Sequence, residues 1–217
     1  MRPQIAGVII SRADLQRALR MRKPPDLFEL RLDRLVNRID EINATVERLP
    51  APLIITARDP REGGANNLSA LRRRTLLLQF LSRAAWVDVE LRSVRSLEPV
   101  LRSAYAQDVR TIVSFHDFET TPLATRLDEI VSRARSLGAG IIKIATRTDT
   151  PAQLDVLLDF FERHRRLGNV VAMGIGKLGR ASRLELAWRG CILNYAHLDS
   201  PGAEGQLSIQ DLRRVIA

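Results

Sequence analysis

Short apolar runs rich in β-branched residues recur along the whole chain, at residues 5–10, 27–33, 53–58, 86–91, 111–116, 141–146, 170–175 and 192–197. Runs of this length bounded by polar segments read as buried strands. Helical periodicity fills the intervals. Residues 123–137 place Leu127, Ile130, Val131 and Ala134 on one face, and Leu154, Leu157, Leu158 and Phe161 repeat that spacing. Thr150 followed by Pro151 supplies an N-cap and a first-turn proline for the second of these helices. Ser208 and Asp211 outline a capping box that opens the last helix, with Asp in place of Glu or Gln.

Eight strand candidates, each followed by a helix candidate, predict an α/β fold of the (β/α)8 TIM barrel type. A doubly wound open sheet would be expected to carry a glycine-rich phosphate turn after its first strand. Here that strand runs into Ser11, Arg12, Ala13 and Asp14, so the barrel is preferred. No linker or composition shift divides the chain, which predicts one catalytic barrel domain over residues 1–217.

In such a barrel, function concentrates at the C-terminal ends of the strands, and this chain keeps its unusual polar residues there. Lys143 sits in an apolar run with Ile141, Ile142, Ile144 and Ala145, and only Lys23 and Lys177 share its residue type. An ammonium inside a hydrophobic strand is costly unless it is paired or loses its proton. A neutral lysine amine is a nucleophile that forms imines with carbonyl compounds. A strand-end lysine whose head reaches water or pairs with a carboxylate would give the same local sequence. Arginines converging on the pocket are expected to disfavour its charge, together with desolvation.

A period of two puts Glu29, Arg31 and Asp33 on one face of the second strand and Phe28, Leu30 and Leu32 on the other. The three charges are therefore expected to point into the barrel, either as an internal salt-bridge layer or as binding groups. Arg58 ends the third strand, and Glu62, Gly63 and Gly64 follow it. His116 closes the fifth strand, one strand before Lys143. Gly174 and Gly176 precede Ser182 and Arg183, and residues 198–206 form a flexible segment suited to a lid. An amine, an imidazole, a carboxylate and several arginines suit imine chemistry on a small acidic keto compound, because arginine forks match carboxylates.

Charge changes this picture little. The net charge of +9 raises the possibility of nucleic acid, yet the arginines are scattered along helical segments and aromatics are only 5%, too few for stacking platforms. A solvated basic surface that steers small anions is the preferred reading, without nucleic acid. The single Cys191 excludes an internal disulfide, and no metal-ligand spacing joins it to His116, His164 and His197. No apolar stretch reaches the length of about 20 residues needed to cross a bilayer, and the first residues lack the pattern of a secretory signal. No membrane partner and a cytoplasmic location are expected.

With these residues in place, the chain resembles the type I 3-dehydroquinate dehydratases over essentially its whole length. The resemblance rests on five ordered motifs: Glu29-Leu-Arg31-Leu-Asp33; Arg58 with Glu62, Gly63 and Gly64; Ser114-Phe-His116; Lys143-Ile-Ala145; and Ser182-Arg183 followed by Gly205-Gln206. It implies a barrel enzyme that removes water from 3-dehydroquinate to give 3-dehydroshikimate. It assigns the Schiff base to Lys143, proton transfer to His116 and positioning of that histidine to Glu62. Glu29, Arg31, Arg58, Arg183 and Gln206 match substrate-binding positions, Arg183 on the substrate carboxylate. It further implies a homodimer and no added cofactor. One departure stands in the lid, where such enzymes read Ala-Pro-Gly-Gln after a serine: here Glu204 takes the proline position, Gly202 the serine position, and Ser200 lies two residues earlier. Glu204 is expected to turn away from an anionic substrate. A class I aldolase would share the fold and Lys143, but Glu29, Arg31 and the His116–Glu62 pair fit a polyhydroxylated ring acid better. A non-catalytic anion-binding protein would leave the buried lysine unexplained.

Overall fold

The computed structural model describes residues 2–216. Strands and helices alternate: β1 (Gln4–Ile9), α1 (Arg12–Leu19), β2 (Leu27–Arg31), α2 (Ile39–Thr45), β3 (Leu53–Thr56), α3 (Ala70–Phe80), β4 (Trp86–Glu90) and α4 (Glu98–Ala106) form the first half. The second half comprises β5 (Arg110–Asp117), α5 (Ala124–Ser136), β6 (Ile141–Arg147), α6 (Pro151–His164), β7 (Val170–Ile175), α7 (Gly179–Trp188), β8 (Leu193–His197), β9 (Leu207–Ser208) and α8 (Ile209–Ile216). All eight expected strands are present, with ends shifted by a residue or two. The short β9 was not expected. It follows the lid segment and pairs in parallel with β8 at Ala196–Leu207 and His197–Ser208.

The strands form one parallel, curled sheet in the order β7-β6-β5-β4-β3-β2-β1-β8-β9, an α/β barrel architecture with β1 joining the two halves. Its outward positions supply the packing. Phe28, Leu30, Ile55, Val87 and Val89 pack with Leu15, Ile42, Leu76, Leu77 and Phe80 of α1 to α3. Ile142, Ile144 and Val171 pack with Leu127, Ile130, Leu157 and Phe160 of α5 and α6. The caps behave as their residue types dictate. Thr150 and Gln153 complete a capping box on α6, and Asp211 N–H donates to Ser208 Oγ at 3.1 Å on α8.

Among the described residues no ladder hydrogen bonds join β7 to β8. Arg183 of α7 spans that seam. Its Nε donates to Gly174 O on β7 at 3.0 Å and its Nη1 to Tyr195 O on β8 at 3.5 Å.

One expectation about β2 is corrected. The strand ends at Arg31, so alternation no longer governs Asp33, which lies in the following turn. There it takes both Arg31 Nε and Nη2 at 2.9 Å and accepts the backbone N–H groups of Arg58 and Ala65. Asp33 is thus a clamp between the β2 and β3 loops, fully buried, and not a third charge in the barrel interior.

Candidate active site

All eight residues singled out from the sequence line one cavity of about 220 Å³ at the C-terminal ends of the strands: Glu29, Arg31, Arg58, Glu62, His116, Lys143, Arg183 and Gln206. Parallel register accounts for much of the convergence. Ser114 on β5 lies opposite Lys143 on β6, and His116 opposite Ala145, so amine and imidazole emerge from adjacent strands into the same space.

Lys143 is buried, and its Nζ donates to Asp88 Oδ2 at 2.7 Å. Glu29 Oε1 lies 3.6 Å away, and the Tyr195 ring sits 4.2 Å beneath the ammonium. Its immediate neighbours are therefore carboxylates and an aromatic face, where arginines were expected. The reason is that Arg58 meets Asp88 first. The guanidinium grips both Asp88 oxygens at 3.0 Å and reaches Glu90 Oε1 at 3.3 Å and Ser114 Oγ at 2.6 Å. Burial alone would raise the Asp88 carboxyl, but Arg58 and Lys143 override it and hold the acid well below the usual carboxylate range. Arg58 faces the cavity with its guanidinium already committed to this network. Glu29 is fixed by Thr56 Oγ1 at 2.9 Å.

His116 and Glu62 form the second pair. Asp59 caps the short 3-10 turn Pro60–Glu62, and Glu62 Oε2 then accepts the His116 backbone N–H at 2.9 Å and faces His116 Nδ1 at 3.0 Å. Gly64 is required there, since a Cβ would lie 2.2 Å from Arg58 O. Burial pushes the His116 imidazole well below its ordinary range, and the Arg58 and Lys143 cations act in the same direction. The ring is therefore neutral at ordinary pH. Burial also raises the Glu62 carboxyl to about 7, with Arg58 opposing and Glu90 adding to the rise. An ionised Glu62 selects the tautomer with a proton on Nδ1, which leaves the Nε2 lone pair free as a base.

Arg183 differs from the other site arginines. It is buried and has no carboxylate partner among the described residues; its two hydrogen bonds go to backbone carbonyls. Burial lowers its guanidinium to about 10, which still leaves it charged at neutral pH. A buried, uncompensated cation on a cavity wall is a receptor for an anion. Ser182 holds the β7–α7 turn through Gly174 N–H and Gly179 O.

The lid segment covers this mouth. Gly202, Ala203 and Gln206 line the cavity, whereas Ser200 does not. Gln206 Oε1 accepts the Gly202 N–H at 2.8 Å. Glu204 does turn outward, to Arg147 Nη2 at 3.5 Å, and Gly205 fits against the backbone of Gly179 and Arg180, where a Cβ would meet atoms at 2.6 Å.

Sequence reasoning missed Asp88, Glu90 and Tyr195. For the acids a signal existed, since Asp88 and Glu90 alternate with Val87 and Val89 in the same way that Glu29 and Arg31 alternate with leucines. Tyr195 gave none, because a tyrosine in an apolar strand reads as core.

Comparisons with known proteins give the family and the fold. The sequence model of the type I 3-dehydroquinase family matches residues 10–217. The 3-dehydroquinate dehydratase of Thermococcus gammatolerans is 33% identical over 215 residues, covering 98% of this chain and 97% of the relative. That of Thermodesulfovibrio yellowstonii is 31% identical over 214 residues, covering 97% and 92%. The crystal structure of 3-dehydroquinate dehydratase from Geobacillus kaustophilus superposes with a TM-score of 0.87 at 29% identity, covering all of this chain and 90% of the other. The type I enzyme from Clostridium difficile, solved with covalently modified comenic acid, gives 0.85 at 26% identity, covering 99% and 91%. This chain belongs to the type I 3-dehydroquinase family.

Proposed function

We propose that this protein is a 3-dehydroquinate dehydratase that works through an imine on Lys143, with His116 moving the protons. The observation that carries the reading is the meeting, in one cavity, of a buried amine, a neutral imidazole on a carboxylate, and a buried arginine without a partner. In this mechanism Arg183 takes the substrate carboxylate and places the ring. The amine adds to the ring ketone, and loss of water gives an iminium whose positive charge takes the place of the ammonium. Asp88 and Glu29, already beside Nζ, then stabilise that charge without rearrangement. The iminium withdraws electrons from the neighbouring carbon. His116 Nε2 removes a proton there, the enamine expels the hydroxyl, and the same imidazole protonates it as it leaves. Hydrolysis of the conjugated iminium releases 3-dehydroshikimate and returns Lys143. Arg58 holds Asp88 in place throughout.

Incubation with 3-dehydroquinate should produce the ultraviolet absorbance of the conjugated enone. No such absorbance from well-folded protein would reject the reading.

Two further outcomes are expected. Arg183→Ala should raise KM strongly and lower kcat as well, because a bidentate contact both binds the ring and aligns its C–H with His116. Arg183→Lys should recover only part, and unchanged kinetics in Arg183→Ala would remove it from the site. For pH, the active form carries ionised Glu62, so kcat/KM should fall as pH drops through about 7 and level off above it. Glu62→Gln should abolish that limb and slow turnover less than loss of His116. A limb that stays in place in Glu62→Gln would assign it to another group.

A further inference from the structure

A second polar site lies outside the barrel interior, directly behind the His116–Glu62 pair. It is a groove of about 550 Å³ formed by the loops after β3 and β4 and the start of α3. Four guanidinium groups line it, those of Arg61, Arg73, Arg92 and Arg95, with Asp59 the one carboxylate on its wall, while Arg73 also meets Glu90 and Arg92 meets Glu62. Asp59 is already engaged by Arg61, through its backbone N–H at 2.9 Å and both Nε and Nη2 at 3.1 Å, by Arg73 Nη2 at 2.8 Å and by Ser93 Oγ at 3.3 Å. Arg95 has no acidic partner among the described residues. Arg73 is only 2% exposed, and its Nε finds no acceptor although its terminal nitrogens are engaged by Glu90, Asp59 and Ser93. Leu68 and Ala70 bring the N-terminal end of α3 to the same groove, where the helix dipole favours negative charge. The guanidinium groups on the groove wall, that of Arg95 with no acid beside it among the described residues, and a helix N-terminus together form a receptor for a multivalent anion.

Arg92 links the groove directly to the His116–Glu62 pair. Arg92 lines the groove and places its Nε 3.2 Å from Glu62 Oε1, while Glu62 Oε2 holds His116. We infer that this groove binds phosphate or a phosphomonoester, and that the bound anion draws Arg92 away from Glu62 and lowers turnover. The sign follows from electrostatics. Arg92 favours the ionised Glu62 that orients His116, so loss of this cation, or arrival of a dianion beside it, favours the protonated acid. The coupling, though not the binding, rests on the reading of His116 and Glu62 given above.

Calorimetric titration of the full-length protein with inorganic phosphate, beside steady-state kinetics, tests both halves. Glycerol 3-phosphate run in parallel separates a phosphorylated metabolite from free phosphate by which of the two binds tighter. One site per chain is expected, with kcat lowered roughly two- to fivefold, the scale of one exposed ion pair, and KM little changed. Arg95→Ala should keep the basal kcat and weaken phosphate binding by about tenfold, near the loss of one charge-assisted contact. Phosphate that only raises KM, equally in wild type and Arg95→Ala, acts as a substrate competitor in the catalytic cavity and overturns the inference. Binding in the groove without any fall in kcat overturns the coupling. If the protein does not turn over 3-dehydroquinate at all, the calorimetric comparison still decides the groove.

Discussion

Lys143→Arg is expected to abolish dehydration while leaving a folded protein. Arginine keeps the positive charge between Asp88 and Glu29, and so can still neutralise the buried acids that Lys143 meets at 2.7 and 3.6 Å. A guanidinium is not an imine-forming nucleophile at any accessible pH. The substitution therefore separates two roles that coincide in the wild type. Were Lys143 present only to balance charge, Lys143→Arg would retain activity. Turnover at background level, with thermal unfolding close to wild type, is the expected combination. Lys143→Ala is a poorer probe, because removing one member of a buried ion pair costs about 3–5 kcal/mol and leaves Asp88 and Glu29 less compensated. Lost activity there would not distinguish chemistry from folding.

His116→Ala is expected to reduce kcat by about 10²–10⁴-fold, the range for loss of a general acid–base group. The amine remains, so the variant should still form the imine and accumulate it when the later proton transfers stall. Mass spectrometry of the variant mixed with 3-dehydroquinate and then reduced with borohydride should show the adduct at high occupancy. Near wild-type turnover in His116→Ala would transfer the proton steps to another group, and Glu62 would be the nearest candidate.

The fold was legible because strand and helix periods differ and the chain keeps them apart. Every apolar run became a strand, and the capping residues Thr150 and Ser208 began helices where expected. Barrel geometry then did most of the work for the site: knowing that strands end at one face is enough to bring Glu29, Arg58, His116 and Lys143 together. Three matters were out of reach. Asp33 looked inward because alternation was extended past the point where β2 stops, and where a strand ends depends on turn contacts such as Asp33 with Ala65 N–H. The charge environment of Lys143 depends on which arginine meets which carboxylate across strands. Alternation fixes a face but not a partner, so the pairing of Arg58 with Asp88 could not be read. Of the two readings of the lysine, the structure shows the paired strand residue, with Nζ on Asp88; its reactivity as an amine belongs to the mechanism proposed above. The seam between β7 and β8, and the use of Arg183 to span it, likewise leave no local pattern.

The most direct measurement is borohydride trapping in the presence of 3-dehydroquinate, followed by peptide mapping. Lys143 lies buried on the cavity wall, whereas Lys23 and Lys177 are exposed. A single reduced adduct on the peptide containing Lys143, absent in Lys143→Arg, is the expected result. Adduct on Lys23 or Lys177, or none at all during active turnover, would contradict an imine at Lys143.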